Sequence, residues 1–144
     1  MIGFGSIGPL RVGSTLADAG SAIASFTVTR QEACPWLIIL DNPSVGSVVV
    51  PVGDDDVIDQ LVVWNASTPP AVPLRTAASI AVGSTEEELQ AAYPGIVGTV
   101  GKYGTNYSVS DASGYFINFE VSGDGVVSSV VTRDQAAIDS EYCG

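Results

Sequence analysis

The chain has 144 residues, of which 46% are hydrophobic, so it can bury one core of ordinary size and is not a disordered tail. Sixteen acidic residues against five basic ones give a net charge of −11, which disfavours nucleic acid and anionic membrane surfaces as partners. No apolar run approaches the roughly 18–20 residues that a membrane span requires.

A short helix is the first element that the sequence predicts. The tetrapeptide Val-Gly-Ser-Thr at 12–15 opens it, and hydroxyl side chains at such a start accept hydrogen bonds from the unpaired N–H groups of the first turn. Apolar residues then recur at helical spacing over 16–23, although Gly20 costs about 1 kcal/mol relative to alanine. The apolar stretch at 7–12 predicts a brief strand before this helix.

Four strands are predicted after the first helix. Residues 26–30 alternate, residues 36–40 are continuously apolar, and β-branched residues dominate the rest. Asp41-Asn42-Pro43 and the run Gly-Asp-Asp-Asp at 53–56 predict the turns. The predicted strands cover residues 26–30, 36–40, 47–52 and 57–64.

A Pro-rich connector divides the chain into two halves. The segment at 65–73 contains three prolines between polar and small residues. We therefore predict a first repeat at 1–66, a connector at 67–76 and a second repeat at 77–144, all within one compact unit. Asn65-Ala66-Ser67 also fits the N-glycosylation pattern, but that triplet is common.

The second half opens as the first does. Val-Gly-Ser-Thr returns at 82–85, an offset of 82 − 12 = 70 residues, after another short apolar stretch at 78–82. A helix is predicted over 85–93, with Ser84 and Glu87 as a capping box and Pro94 as the residue that ends it. Each tetrapeptide is interpreted as a helix start without a binding role.

The strands of the second half complete the duplication. A glycine-rich loop is predicted over 95–104, and strands over 103–109, 115–121 and 126–133. Gly123-Asp124 repeats Gly53-Asp54 at the 70-residue offset, and the strands that follow match at 126 − 57 = 69. The sequence therefore predicts an α+β fold of two tandem repeats, each a short helix packed on three to four antiparallel strands.

Catalytic chemistry finds no support in the sequence. The chain has no histidine, which removes the usual general base and the commonest metal ligand. The acidic run at 54–56 lacks the trailing glutamate of a calcium loop and is interpreted as a solvated turn. Glu86 and Glu87 lie where a helix start favours negative charge, and no Gly-Lys-Ser/Thr phosphate loop is present. We predict no enzyme, no metal site and no cofactor.

The two cysteines, Cys34 and Cys143, match no metal or redox spacing. A disulfide between them would close a long loop and stabilise the fold by up to about 4–5 kcal/mol, and it would imply an oxidising compartment. Two buried free thiols are the alternative. We favour the disulfide.

Large aromatic residues in or beside the strands are the candidate binding residues. Tyrosine and tryptophan dominate the energetics of protein contacts when they cluster on an accessible face. The alternative is that each ring belongs to the core or shields the sheet. The candidates are Trp36, Trp64, Tyr103, Tyr107 and Tyr115.

The helix openings resemble those of a known fold. The run at 8–15 and its echo at 80–89 resemble the opening of the β-lactamase-inhibitor-protein-like fold and of SmpA/OmlA envelope lipoproteins. Secreted and lipid-anchored actinobacterial proteins of unassigned role are similar in this opening, in a Leu-x-x-Ala-Tyr helix like that at 89–93, and in a late Glu-Tyr-Cys like that at 141–143. The inhibitor proteins, however, close a disulfide inside each repeat, and they carry Met where this chain has Ser14 and Ser84.

The resemblance implies a helical layer on an antiparallel sheet, an extracytoplasmic location with any signal or lipid anchor removed, and protein binding through the open face of the sheet. We therefore expect a non-catalytic extracytoplasmic protein-binding module, inhibitor-like in its mode of binding. One alternative is a self-associating structural or assembly protein of the cell surface. Another is a glycan or small-molecule binder that uses its aromatic rings as stacking platforms.

Overall fold

The computed structural model describes residues 1–64, 69–139 and 142–143; the predicted glycosylation triplet at 65–67 and Glu141 lie outside them. One antiparallel sheet of eight strands dominates, in the order β4-β5-β6-β7-β11-β10-β9-β8. A small antiparallel sheet at the N-terminus contains β1 (Ile2–Gly3), β2 (Ser6–Ile7) and β3 (Leu10–Arg11). The strands of the large sheet are β4 (Thr27–Arg30), β5 (Leu37–Asn42), β6 (Gly46–Pro51), β7 (Leu61–Trp64), β8 (Gly98–Val100), β9 (Thr105–Ser110), β10 (Phe116–Val121) and β11 (Val127–Arg133).

Two short α-helices accompany the sheet, α1 (Leu16–Ala19) and α2 (Glu86–Ala92), so the fold is mixed α and β as predicted. Both begin with a capping box. Thr85 caps α2 with Glu88, one residue later than the predicted pair of Ser84 and Glu87, because the Ser84 hydroxyl accepts instead from the Ala81 N–H. Burial of Leu89 fixes α2 against the sheet.

The first helix is shorter than its apolar pattern suggested. Gly20 adopts a φ of +55°, which ends α1 after one turn, and the chain continues as a 3₁₀ turn over Gly20–Ile23. No residue of α1 is fully buried. The glycine therefore divides the predicted helix.

Three parts of the chain differ from the sequence prediction. The predicted strand at 57–64 begins only at Leu61; before it come a 3₁₀ turn over Asp54–Asp56 with positive φ at Asp55 and Asp56, and an isolated bridge of Ile58 to Val52. The predicted loop at 95–104 contains β8, which pairs with β9. The stretch at 78–82 forms no strand, whereas the N-terminus supplies β1 and β2.

The two halves of the chain meet at the centre of the sheet. Each half contributes four consecutive strands, and β7 pairs with β11 antiparallel, Val62 opposite Val131. Equivalent hydrogen bonds hold each helix start to the sheet. The Gly13 N–H donates to the Ile58 carbonyl at 2.9 Å, and the Gly83 N–H donates to the Val127 carbonyl at 2.8 Å.

The main core lies on one face of the sheet, beneath the two helices; we call it the helix face. Phe119, Leu61 and Leu40 are fully buried there. The opposite side, which we call the open face, carries a smaller apolar cluster. No helix in the described part of the chain is long and apolar enough to cross a membrane.

Candidate binding surface

The five candidate aromatic residues do not form one surface. Trp36, Trp64 and Tyr103 are 46%, 41% and 54% exposed. Tyr115 is half-buried, with its ring against the backbone of Gly5, where a side chain would not fit.

Tyr107 belongs to the core, so the candidate surface excludes it. Its ring lies on the helix face and is 5% exposed. Its hydroxyl donates to the Glu86 carboxylate at 2.6 Å and accepts from Gln90 at 3.2 Å. The hydrogen bond to Glu86 and burial raise the pKa of Tyr107 above its ordinary value. Alternation along β9 directs this side chain under α2.

Trp36 and Trp64 both contact Tyr142, Trp36 through the main chain and Trp64 through the ring. The Trp36 indole Nε1–H donates to the Tyr142 carbonyl at 2.7 Å. The rings of Trp64 and Tyr142 meet edge to face, with centroids 5.8 Å apart. We call Trp36, Trp64 and Tyr142 the aromatic cluster. Sequence reasoning missed Tyr142, although its position before Cys143 was a usable signal.

Cys34 and Cys143 form a disulfide, as the sequence predicted, and this bond holds Tyr142 in place. Cys34 is buried two residues before Trp36, so the bond brings the end of the chain to the first half of the sheet. We call residues 134–143 the C-terminal strap, of which 134–139 and 142–143 are described. The cross-link anchors the strap beside the aromatic cluster.

The strap covers an apolar strip on the open face. Leu37, Val49, Val62 and Val131 form this strip, and each is at most 6% exposed. Ile138 and Tyr142 pack against it. The open face is therefore not bare at its centre, because the chain covers it with its own end.

A polar clamp holds the middle of the strap. The Asp139 carboxylate accepts from Gln60 Nε2 at 2.8 Å and from an Arg133 guanidinium nitrogen at 3.0 Å. Asn118 donates to the Gln135 carbonyl at 3.0 Å. Burial alone would raise the pKa of Asp139, but the hydrogen bonds from Gln60 and Arg133 outweigh it and lower the pKa.

The clamp is only partly satisfied. Among the described residues, buried Gln60 Oε1 and Arg133 Nε have no hydrogen-bond partner. Each such group costs about 1–3 kcal/mol relative to a bonded one. Burial, and then the charge of Asp139, raises the pKa of Tyr142 to about 12. The disulfide therefore supplements the contact between strap and sheet, whose buried polar groups are only partly hydrogen-bonded.

Tyr103 lies far along the sheet order from the aromatic cluster, in the turn between β8 and β9. The Lys102 ammonium lies 5.3 Å from its ring centroid. In the described residues, no group of three or more cysteine or acidic side chains is arranged to hold a metal ion. Among the described residues, the candidate surface is therefore the aromatic cluster, which Tyr103 does not join.

Comparison with known proteins identified no relative of this chain. No protein-family model matches the chain, and no curated protein or solved structure is significantly similar to it.

Proposed function

We propose that this chain is a non-catalytic, extracytoplasmic protein-binding module that uses the aromatic cluster on its open face. The observation that carries the proposal is the fixed, half-exposed state of Trp36 and Trp64, both in contact with Tyr142. Tryptophan and tyrosine supply large amphipathic contact areas, and rings already held in place lose little freedom on binding.

Two tandem repeats are part of this proposal. The helix starts are capped alike by Thr15 and Thr85, each in a reciprocal bond with the acidic residue three positions later. The Ile58 and Val127 N–H groups donate to the carbonyls of Ser14 and Ser84, offsets of 70 and 69 residues. These matched bonds follow the offsets of the sequence repeat. They support an inhibitor-like arrangement in which both halves contribute to one open face.

The extracytoplasmic location draws its support from the disulfide. Such bonds persist in oxidising compartments and are rare in the cytosol. Cys143 is exposed at the end of the chain, so a reducing environment would reach it.

A comparison of affinities tests the binding proposal. A partner captured from the source organism's culture fluid is purified and titrated calorimetrically with wild type and with Trp64→Ala. We expect the substitution to weaken binding by more than about tenfold, since truncating a central tryptophan costs about 2 kcal/mol or more. Val72→Ala, at another exposed apolar position, is the matched control. Equal affinities for wild type and Trp64→Ala would refute the proposal.

Self-association is the second candidate function. Both outer strands of the eight-stranded sheet, β4 and β8, are exposed along their whole length. Exposed strand edges pair with other chains because their backbone groups are unpaired.

A further inference from the structure

Strand β9 has a gap along its outer edge, beside β8. Strand β8 covers β9 only from Thr105 to Tyr107, where it begins at Gly98. Strand β9 continues to Ser110, paired with β10 on its other side. The last three residues of β9, 108–110, therefore have one edge that no described strand covers. We call this edge the notch.

The hydrogen-bonding groups of the notch can be assigned from the alternation of an antiparallel ladder. The Gly101 N–H donates to the Gly104 carbonyl across the β8–β9 turn, so even-numbered residues of β9 direct their backbone groups toward β8. Ser108 and Ser110 continue this series beyond the start of β8. The antiparallel pair of Gly98 and Tyr107 at the start of β8 uses the Ser108 N–H. The Ser108 carbonyl and both backbone groups of Ser110 are therefore positioned to bond an added strand.

An apolar groove lies beside the notch on the helix face. It has a volume of about 600 Å³ and is lined in part by Phe4, Tyr93, Ile96 and Val109. Neighbouring strands place opposite side chains on the same face. An added strand would therefore direct the side chain opposite Val109 into this groove, and an apolar residue suits it.

The other outer strand of the same sheet has the matching pattern. The Gln31 N–H donates to the Leu37 carbonyl, so Thr27 and Thr29 direct their backbone groups to β5 and Val28 directs its own outward. Val28 pairs with Leu40 on the helix face and is 52% exposed. It is an apolar residue on the correct face, and its backbone groups point away from β5 along an edge that no described strand pairs.

Strand direction agrees with this match. Each neighbouring pair in the sheet is antiparallel, and β9 is six positions from β4, so β4 and β9 run the same way. A second copy placed beside the first without being turned over offers β4 parallel to β9. In a parallel ladder, Val28 opposite Val109 donates to the Ser108 carbonyl and accepts from the Ser110 N–H.

Charge also favours this pairing over the pairing of like edges. Lys102 is the only charged residue from 89 to 110. The β8 hairpin therefore offers no carboxylate, and Asp111 is the residue that follows the notch directly. The β4 end is acidic although Arg30 pairs there with Asp56, so two β4 edges would repel each other. Its acidic residues include Glu32, Asp41, Asp55 and Asp56.

We propose that a second copy of this chain inserts β4 into the notch of the first, with Val28 in the apolar groove. The two edges are different, so the contact is heterologous: the first copy keeps a free β4, the second keeps a free notch, and the assembly can grow at both ends unless it closes into a ring. The edges are short, which keeps the association weak and dependent on concentration. This inference is independent of the aromatic cluster.

Sedimentation velocity over a concentration series tests the inference. We expect the average mass of the wild type to rise with concentration. Val28→Lys removes the apolar residue from β4, and Ser110→Pro removes a donor from the notch while leaving the backbone bonds of β9 to β10. Each alone is expected to lower the association constant by about tenfold or more. Val72→Lys, with the same charge change at an exposed position, is expected to associate like the wild type.

Mixing the two variants gives the decisive result. Val28→Lys keeps an intact notch, and Ser110→Pro keeps an intact β4, so the mixture is expected to form a one-to-one dimer that grows no further. Val97→Asp, at an exposed valine of the groove, replaces Ser110→Pro if the proline variant does not fold, as judged by circular dichroism. Self-association of Val28→Lys equal to that of the wild type, a monomeric wild type at every concentration, or no dimer in the mixture would each overturn the inference.

Discussion

Asp139 accepts two of the side-chain hydrogen bonds in the polar clamp of the C-terminal strap. Its carboxylate accepts from two side chains on different strands, Gln60 just before β7 and Arg133 at the end of β11. Both donors are almost fully buried, so removing the acceptor leaves them without a partner. The strap and the central strands are therefore coupled through one carboxylate.

Replacing Asp139 by asparagine is expected to give a pH-dependent loss of stability. The folded state lowers the pKa of Asp139, so the ionised clamp stabilises the fold above the unfolded value of about 3.9 and loses this effect as pH falls through the folded pKa. Urea unfolding of Asp139→Asn should show a lower free energy of unfolding at pH 7 and a difference that shrinks toward acid. Asp134→Asn, an exposed neighbour on the strap, is the control. A difference that stays constant with pH would contradict the clamp.

At the scale of elements, the two helix starts are alike in their caps and unlike in what they hold. Thr15 and Thr85 make the same pair of bonds with Asp18 and Glu88. The second helix has seven residues and buries Leu89 completely, whereas the first has four and buries none. The same cap therefore supports packing in one half and a local turn in the other.

Removing each cap hydroxyl separates these two roles. Thr85→Ala is expected to lower the free energy of unfolding by about 1 kcal/mol, since an N-cap is lost from a helix that packs on the core. Thr15→Ala should cost clearly less, because α1 can fray without exposing a buried side chain. Thermal unfolding followed by circular dichroism measures both. Equal losses would mean that α1 contributes to the cooperative core.

The elements that the sequence predicted are those with local signals. Hydroxyl caps and apolar periodicity located α2, and runs of β-branched residues located the long strands. The sequence did not predict strand β8, because its residues are exposed and because the side chains opposite position 98 leave room only for glycine. A side chain at Gly98 would clash with Thr105 and Tyr107 across the ladder. Such a requirement depends on pairing, which composition does not reveal.

The candidate surface was predictable in part for the same reason. Cys34 and Cys143 were paired from the sequence, and Trp36 and Trp64 were chosen as candidates. The contacts of Tyr142 with both tryptophans depend on where the strap lies on the sheet. The burial of Tyr107 depends on the alternation of side chains along β9. Both depend on long-range geometry. The strap itself has no sequence signal beyond its terminal cysteine and the apolar residues that it places on the strip.

At the scale of the whole molecule, the disulfide connects the last residues to the half of the sheet that precedes the connector. The cross-linked residues are 109 positions apart. Loop closure of this length stabilises by about 4–5 kcal/mol in the chain-entropy account, although measured values are often lower. The bond also keeps Tyr142 on the strip, so the same cross-link contributes to global stability and to the shape of the open face.

Cys143→Ser removes the disulfide and so tests its contribution to stability and to the shape of the open face. We expect the free energy of unfolding to fall by about 2–4 kcal/mol. The strap should then lift from the sheet, since two buried polar atoms of its clamp have no partner in the described part of the chain, and the freed apolar strip should bind a hydrophobic dye. Tryptophan emission should shift to the red as Trp64 loses Tyr142. Ala136→Ser, at an exposed strap position, is the control. Unchanged emission and dye binding in Cys143→Ser would show that packing alone holds the strap and that the open face keeps its shape without the cross-link.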